Sequence, residues 1–470
     1  MAGAGWTMIY FLLLLICGAG LWILLNCNVP SLSTLVAELP TIVALGVICL
    51  HVEFLLLSWR GEVALLSLAL LPALLLGLLS WSCLKGEIRR EPNVATERPN
   101  WQLWSVLVLL LALQVAVLLP MFQLPLFDWE GRMLWALKAR FLEESPTLLA
   151  EPFRDPYRLH IHPRYPLLLP WLSAAISRAG GGFQELHYLM LLLTFALLTG
   201  WHFFVFLVRR MGLLWAFLVS LILMSSSIWL TAVINAQVEI VLTFFALLAL
   251  TRLLDWFAHG RWQDLVLTVI FLVGGALTKN EGLLLALVFF VVVMLLALLE
   301  MRPNSREVWL FPGLFFLLYL PWLLHLRHIP AVADENYLQQ LNGAAILHGV
   351  ARLSQICASY LSRMSDWPLW HLYWIILPAT VIWSLLHWRK TATGEKVVAL
   401  VWVGYFVGVM GVYILSPWQD ISLHISASFD RAFLPLLPCG LILVALWIRS
   451  VMPMGAGDGL ADKITRKVDQ

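Results

Sequence analysis

The sequence predicts an all-α polytopic membrane protein with about 11–13 transmembrane helices, and three observations lead there. Of 470 residues, 61% are hydrophobic and only 12% are charged, against roughly 25% charged in a typical soluble domain. Apolar runs near the ~20 residues needed to cross a hydrocarbon core recur along the whole length. The chain also holds 24 tryptophans, and many fall at run ends, among them Trp101, Trp104, Trp129, Trp201, Trp262, Trp309, Trp322, Trp388 and Trp447. That is the aromatic belt of a membrane–water boundary. A β-barrel is excluded, because barrel strands alternate apolar and polar residues and these runs do not. The net charge of +2 gives no reason to expect nucleic acid as a partner.

In chain order the expected spans are 7–25, 39–58, 62–84, 101–121, 186–208, 213–232, 237–253, 264–278, 282–300, 308–325, 367–387, 397–415 and 432–449. The first run lacks a basic n-region and a small-residue cleavage site, so it reads as a retained span, not a removed signal peptide. Cys17, Cys27, Cys49, Cys83, Cys357 and Cys439 sit mostly inside apolar runs and behave as small buried hydrophobes. None has zinc-site spacing.

Basic residues collect in six places: 85–100, 209–212, 252–262, 301–307, 387–396 and the tail. The span order puts all six on one side, which the positive-inside rule makes cytoplasmic. The long segments 122–185, 326–366 and 416–431 then face outward. The chain divides into N-terminal membrane helices over 1–100, a second membrane region over 101–450 with its outer loop at 122–185, and a cytoplasmic tail over 451–470. Long loops without a domain of their own are usually functional. Within this one, "RYPLLLPWLSAAISRAGG" is apolar but short and proline-rich, so it is expected to lie in the interface as a helix.

The outer loop opens with "FDWEGRMLWALKARFL", Phe127 to Leu142, a charged stretch directly after a span. An Asp/Glu pair ("DWE"), then "WALKA" from Trp135 to Ala139, then "HPRYP" from His162 to Pro166 resembles the first outer loop of GT-C glycosyltransferases. The branch it is most similar to holds the protein O-mannosyltransferases, the lipid A aminoarabinose transferases and the lipopolysaccharide sugar transferases of rhizobia. "ALTKNEGLLLAL" around Lys279 resembles that branch's LTKxxG corner, and "DRAFLPLLP" from Asp430 resembles its terminal RYxLPLxP segment.

The resemblance implies a GT-C-like fold and a polyprenyl-phosphate sugar donor. It also implies inverting transfer at the outer face of the membrane, with a carboxylate of the first outer loop doing catalysis or orienting the acceptor. Two positions compete for that role. The spacing to "WALKA" puts Glu130 where the family has Asp, while Asp128 stands two residues earlier.

The chemistry asks for the same residue types independently. Displacement at an anomeric carbon needs a carboxylate to take the proton of the acceptor hydroxyl. A departing lipid phosphate needs Arg or Lys at the interface. The candidate catalytic residues are therefore Asp128 and Glu130. The candidate substrate-binding residues are Lys138, His160, His162, Tyr165, Lys279, Glu281, Arg352, Arg363 and Arg431, with Lys279 and Arg431 foremost for the donor phosphate.

Each has a plainer alternative. Asp128 and Glu130 fit a solvated loop start, Lys138 a side chain that snorkels to headgroups, and "TKNEG" a polar hairpin tip closed by a Lys279–Glu281 ion pair. Glu239, in "NAQVEIVLTFF", is a further acid at membrane depth, where ionisable groups are functional by default. No cofactor is certain, and no metal ligand is assigned. A divalent cation at His160 and His162 is the lesser reading beside hydrogen bonding.

The expected partners are a polyprenyl-phosphate sugar, an acceptor of unknown type (glycolipid, polysaccharide or protein) and the bilayer. The expected place is a bacterial inner membrane, with the site facing the periplasm or exterior. A multi-span transporter or lipid-linked-sugar flippase is the alternative from another class. Against it, polar residues gather in outer loops rather than at the midplane, and no second half repeats the first. A polysaccharide polymerase or ligase is the third.

Overall fold

The computed structural model describes residues 2–29, 31–85, 89–90, 101–122, 126, 128–299, 305–329 and 342–451. The apolar approach to Asp128 at 123–125 and 127, most of the first basic loop, residues 330–341 and the tail from 452 lie outside that set. So do the first four residues of the 301–307 basic loop.

Seven helices among the described residues are long and apolar enough to span a membrane: Leu39–Leu57, Trp101–Phe122, Glu185–Met211, Glu239–His259, Asn280–Leu298, Thr393–Ile414 and Ile421–Val451. Leu213–Ser225 and Ser227–Ile234 form an eighth if taken together, bent by 52°. Shorter apolar helices cover Tyr10–Asn26, Ser67–Cys83, Trp262–Thr278, Leu310–Leu326 and Tyr373–Leu386. The expected runs thus fall on helices, with 213–232 and 367–387 each divided between two, and seven or eight helices rather than 11–13 are long and apolar enough to span by themselves.

The Glu239–His259 helix is the core. Its residues are apolar on every side, and almost all of them are buried, which is the signature of a helix enclosed by protein. It pairs with Trp262–Thr278 through a two-residue turn in which Gly260, at φ 74°, takes the left-handed C-cap that only glycine adopts without cost. Trp101–Phe122 stands at the periphery, with Val108, Leu109 and Leu113 exposed. The N-terminal helix crosses Leu39–Leu57 at Gly18 and Gly46, where an added Cβ would overlap the carbonyls of Ile42 and Leu14. Small residues let membrane helices approach this closely.

One expectation is corrected and one extended. The segment expected to lie in the interface is the short helix Leu168–Gly180, and it is also buried by protein from Leu168 to Ser177, against the N-terminal helix, Leu39–Leu57 and Leu137–Glu144. A short apolar helix is as well suited to a protein interior as to a membrane surface, and the N-terminal helices supply that interior. The last span does not open at Asp430. Its helix starts at Ile421, with Asp420 capping through its side chain on the Leu423 amide at 3.0 Å. Ile421, Ile425, Phe429 and Phe433 are buried on one stripe, four apart, which places Asp430 and Arg431 inside the helix and level with the loop that begins at Asp128.

Candidate active site at one end of the bundle

The loop that opens with "DWE" is fixed locally first. The Asp128 carboxylate accepts from the Gly131 amide at 3.1 Å, and its carbonyl accepts from the Arg132 amide at 3.0 Å. The chain then winds through a π-helical turn, Gly131–Ala136, a feature common at functional sites. Gly131 faces the carbonyls of Asn235 and Ala236, each 3.2 Å from where a Cβ would stand. A side chain there would force the loop away from the head of the core helix.

That seating presents Glu130 to Arg431, and the two form an ion pair across 301 positions of sequence (431 − 130). Arg431 also donates to the Ala427 carbonyl through Nη2 at 2.8 Å. Asp128 lies within electrostatic reach of Arg431 and of Tyr188. The Tyr188 hydroxyl in turn donates to the Ala236 carbonyl at 3.1 Å.

The next wall is Lys279. Its ammonium lies 2.5 Å from Glu239 and 3.0 Å from Glu281, and Lys279 and Glu239 are both buried. The expected Lys279–Glu281 pair exists, but Glu239 is the nearer partner. The second oxygen of Glu239 is buried with no hydrogen-bond partner among the described residues. Gly282 serves close packing, not a turn: an added Cβ would overlap the Gly275 carbonyl on the preceding helix. Tyr405 lies within reach of Lys279, Glu281 and Glu239 and donates to the Ala432 carbonyl at 3.0 Å. It ties the backbone next to Arg431 to the Lys279 wall.

"WALKA" and "HPRYP" form the third group. Lys138 does not snorkel; it is fully buried and donates to the His162 carbonyl at 2.8 Å. Its ammonium sits 4.9 Å from the Trp135 ring centre and 5.3 Å from that of Tyr165, a cation–π enclosure. Tyr165 stacks on His162 at 5.1 Å and reaches Lys279 electrostatically, which joins this group to the second. His162 holds a left-handed backbone, φ 49°, a conformation uncommon outside glycine and worth noting near a site. His160 is exposed.

The remaining candidates have other work. Arg352 donates to the carbonyls of Trp418 at 2.8 Å and Ser416 at 3.0 Å, strapping the 416–418 turn. Arg363 pairs with Asp430 and lies 3.7 Å from Asp366, while the Trp370 indole donates to Asp430 at 2.9 Å. The adjacent residues Asp430 and Arg431 therefore point their charges to different partners.

Asp128, Glu130, Glu239 and Glu281 thus face Lys279 and Arg431, four carboxylates to two cations. Such a site is supplied with proton acceptors, and each cation in it already has a carboxylate. Among the described residues no three His, Cys, Asp or Glu side chains converge as a metal site would require. Reading the sequence missed Tyr188, Tyr405 and the partner of Arg363. Only Tyr188 carried a signal, as a polar residue in the first turn after the long loop. A search found no family model, no curated protein and no solved structure that matches the chain, so the arrangement of these side chains carries the functional reading.

Proposed function

We propose that the chain is an inverting membrane glycosyltransferase, moving a sugar from a polyprenyl-phosphate donor to an acceptor hydroxyl at the outer face of the membrane. The observation that supports it most is the Glu130–Arg431 ion pair with Asp128 beside it. It joins the outer loop to the last helix, the two segments whose motifs resemble the GT-C pattern.

In this reading the acceptor oxygen attacks the anomeric carbon while the bond from that carbon to the phosphate oxygen breaks. The electron pair leaves with the phosphate, and the acceptor proton passes to Asp128 or Glu130. Arg431 is the cation positioned to change partners: when a phosphate draws its guanidinium away, the Glu130 carboxylate is released as a base. A guanidinium suits this exchange because it binds carboxylate and phosphate with the same fork. Lys279, held by two carboxylates, organises the opposite wall.

The decisive measurement uses purified protein in nanodiscs with labelled polyprenyl-phosphate sugars and mixed envelope acceptors. Release of free polyprenyl phosphate, dependent on the acceptor, is the expected result. No release with any donor would overturn the reading.

The buried Glu239–Lys279 pair favours one second reading, a transporter that couples a substrate to movement of a proton or ion through that pair. Proteoliposomes separate the two. Uptake driven by a pH gradient without cleavage of a lipid-linked sugar would establish transport.

A further inference from the structure

Away from the candidate site, a groove of about 560 Å³ opens between the end of the Leu39–Leu57 helix and the Leu310–Leu326 helix. Leu56 and Trp59 form one wall, and Leu317, Pro321 and Leu324 the other. The protein leaves this apolar surface uncovered: Leu56 is 57% exposed and Leu317 64%. At its end stand Arg327 and His328, directly after the last turn of the helix, where an apolar helix of this length would meet the membrane–water boundary. The His328 ring meets Trp59 edge-on at 5.3 Å, bridging the two walls. No described carboxylate pairs with Arg327.

We propose that this groove is a binding site for an anionic phospholipid, with an acyl chain along Leu317 and Leu324 and the phosphate on Arg327 and His328. The volume suits it, since specific ligand sites enclose about 300–1,000 Å³ with apolar walls and a few placed polar groups. The charge selects it: a zwitterionic headgroup would bring its own cation to Arg327, while an anionic one brings none. None of the lining residues belongs to the site around Glu130, so this assignment stands or falls apart from the glycosyltransferase reading.

The test reconstitutes the full chain in phosphatidylcholine nanodiscs with a minor share of phosphatidylglycerol. Native mass spectrometry counts the lipids kept on release, and acyl-chain diazirine analogues of both lipids map where they sit. Phosphatidylglycerol is expected to be retained over phosphatidylcholine and to cross-link the peptide carrying Leu317 and Leu324. The Arg327→Gln, His328→Gln double variant should lose that preference by about fivefold or more, and Arg327→Lys should keep most of it. Equal retention of the two lipids, or an undiminished preference in the double variant, overturns the proposal. Displacement of phosphatidylglycerol by equimolar polyprenyl phosphate overturns it as well and gives the groove to a lipid-linked substrate.

Discussion

The two ends of the Glu239–His259 helix carry buried charge in opposite styles. At the far end Arg252 pairs with Glu38, donates to Thr41 at 3.0 Å and lies 3.7 Å from Asp264. Arg261 holds Asp264 at 2.8 Å, Arg209 lies 3.6 Å from Glu38, and Arg210 holds Asp255 at 2.8 Å. Three carboxylates meet four guanidinium groups, and each carboxylate has its own. About 20 Å away, thirteen residues up the helix at ~1.5 Å each, Glu239 and Glu281 share Lys279, and Glu130 and Asp128 share Arg431. A balanced buried network ties helices together, and breaking it costs stability. An unbalanced one keeps groups whose protonation or partners can change, which is where functional sites are found. Chemistry is therefore expected at the unbalanced end and folding stability at the balanced one.

The largest expected effect tests the unbalanced end. Asp128→Asn and Glu130→Gln keep shape but cannot accept a proton, and general-base catalysis contributes about 10²–10⁴-fold. One of the two should lose turnover by that factor while still binding donor, since the phosphate cation sits on another helix. Closeness to Arg431 favours Glu130. If both variants turn over near normally as folded protein, this end is not a catalytic centre, and the contrast between the two ends loses its functional meaning.

How much of this was legible beforehand differs by kind of contact. The helices were, because a ~20-residue apolar run in lipid has little choice but to be helical. The contact between "DWE" and Asp430-Arg431 was not legible, since no local pattern links residues 301 apart. The Lys279–Glu239 pair had a signal that went unused. The two residues lie at nearly equal chain distances either side of Gly260, so an antiparallel helix pair must bring them level. Burial of Leu168–Gly180 had none, because its composition fits an interface and an interior equally. The helical start at Ile421 was readable from the four-residue spacing of Ile421, Ile425 and Phe429, but the polar residues between them hid it from a search for apolar runs.

A second, intermediate effect separates the two cations at the active end. Arg431→Gln should weaken use of the lipid donor, since loss of a charge-assisted contact costs about 1.5–3 kcal/mol, or roughly 10- to 150-fold. Lys279→Met should instead lower the unfolding temperature, because Glu239 is left buried without its cation. Donor saturation curves and thermal unfolding of both variants decide it. An Arg431 variant with unchanged donor dependence would show that its pairing with Glu130 is as structural as anything at the opposite end.

The membrane orientation of the two ends is an all-or-none property without an energetic scale. Glu144, exposed at the end of the Leu137–Glu144 helix that carries the second half of "WALKA", should react as Glu144→Cys with an impermeant thiol reagent in intact cells. Lys390, exposed near the balanced end, should not react as Lys390→Cys. The reverse pattern would put the carboxylate-rich end in the cytoplasm, and a transfer reaction at the outer face would be ruled out with it.

The smallest effect belongs to the balanced end and appears only in acid. Burial alone would push the Glu38 carboxyl up, but Arg252, with help from Arg209, outweighs it and holds the group down to about 2, against an ordinary 4.5. The folded chain thus binds the Glu38 proton less readily than the unfolded one. Its contribution to stability is complete above pH 4.5 and is lost as pH falls from there toward about 2. Thermal unfolding of the wild type should therefore fall more steeply across that window than unfolding of Glu38→Gln, and the two curves should run parallel at neutral pH and above. Asp264 still lies 3.7 Å from Arg252 in the variant, so the guanidinium keeps a partner and the fold survives the comparison. Turnover per folded molecule should not change, because Glu38 sits at the other end of the core helix from every group assigned to the reaction. Identical pH slopes would mean that the Arg252 network does not stabilise the carboxylate, and the balanced end would no longer differ from the active one in what its charges do.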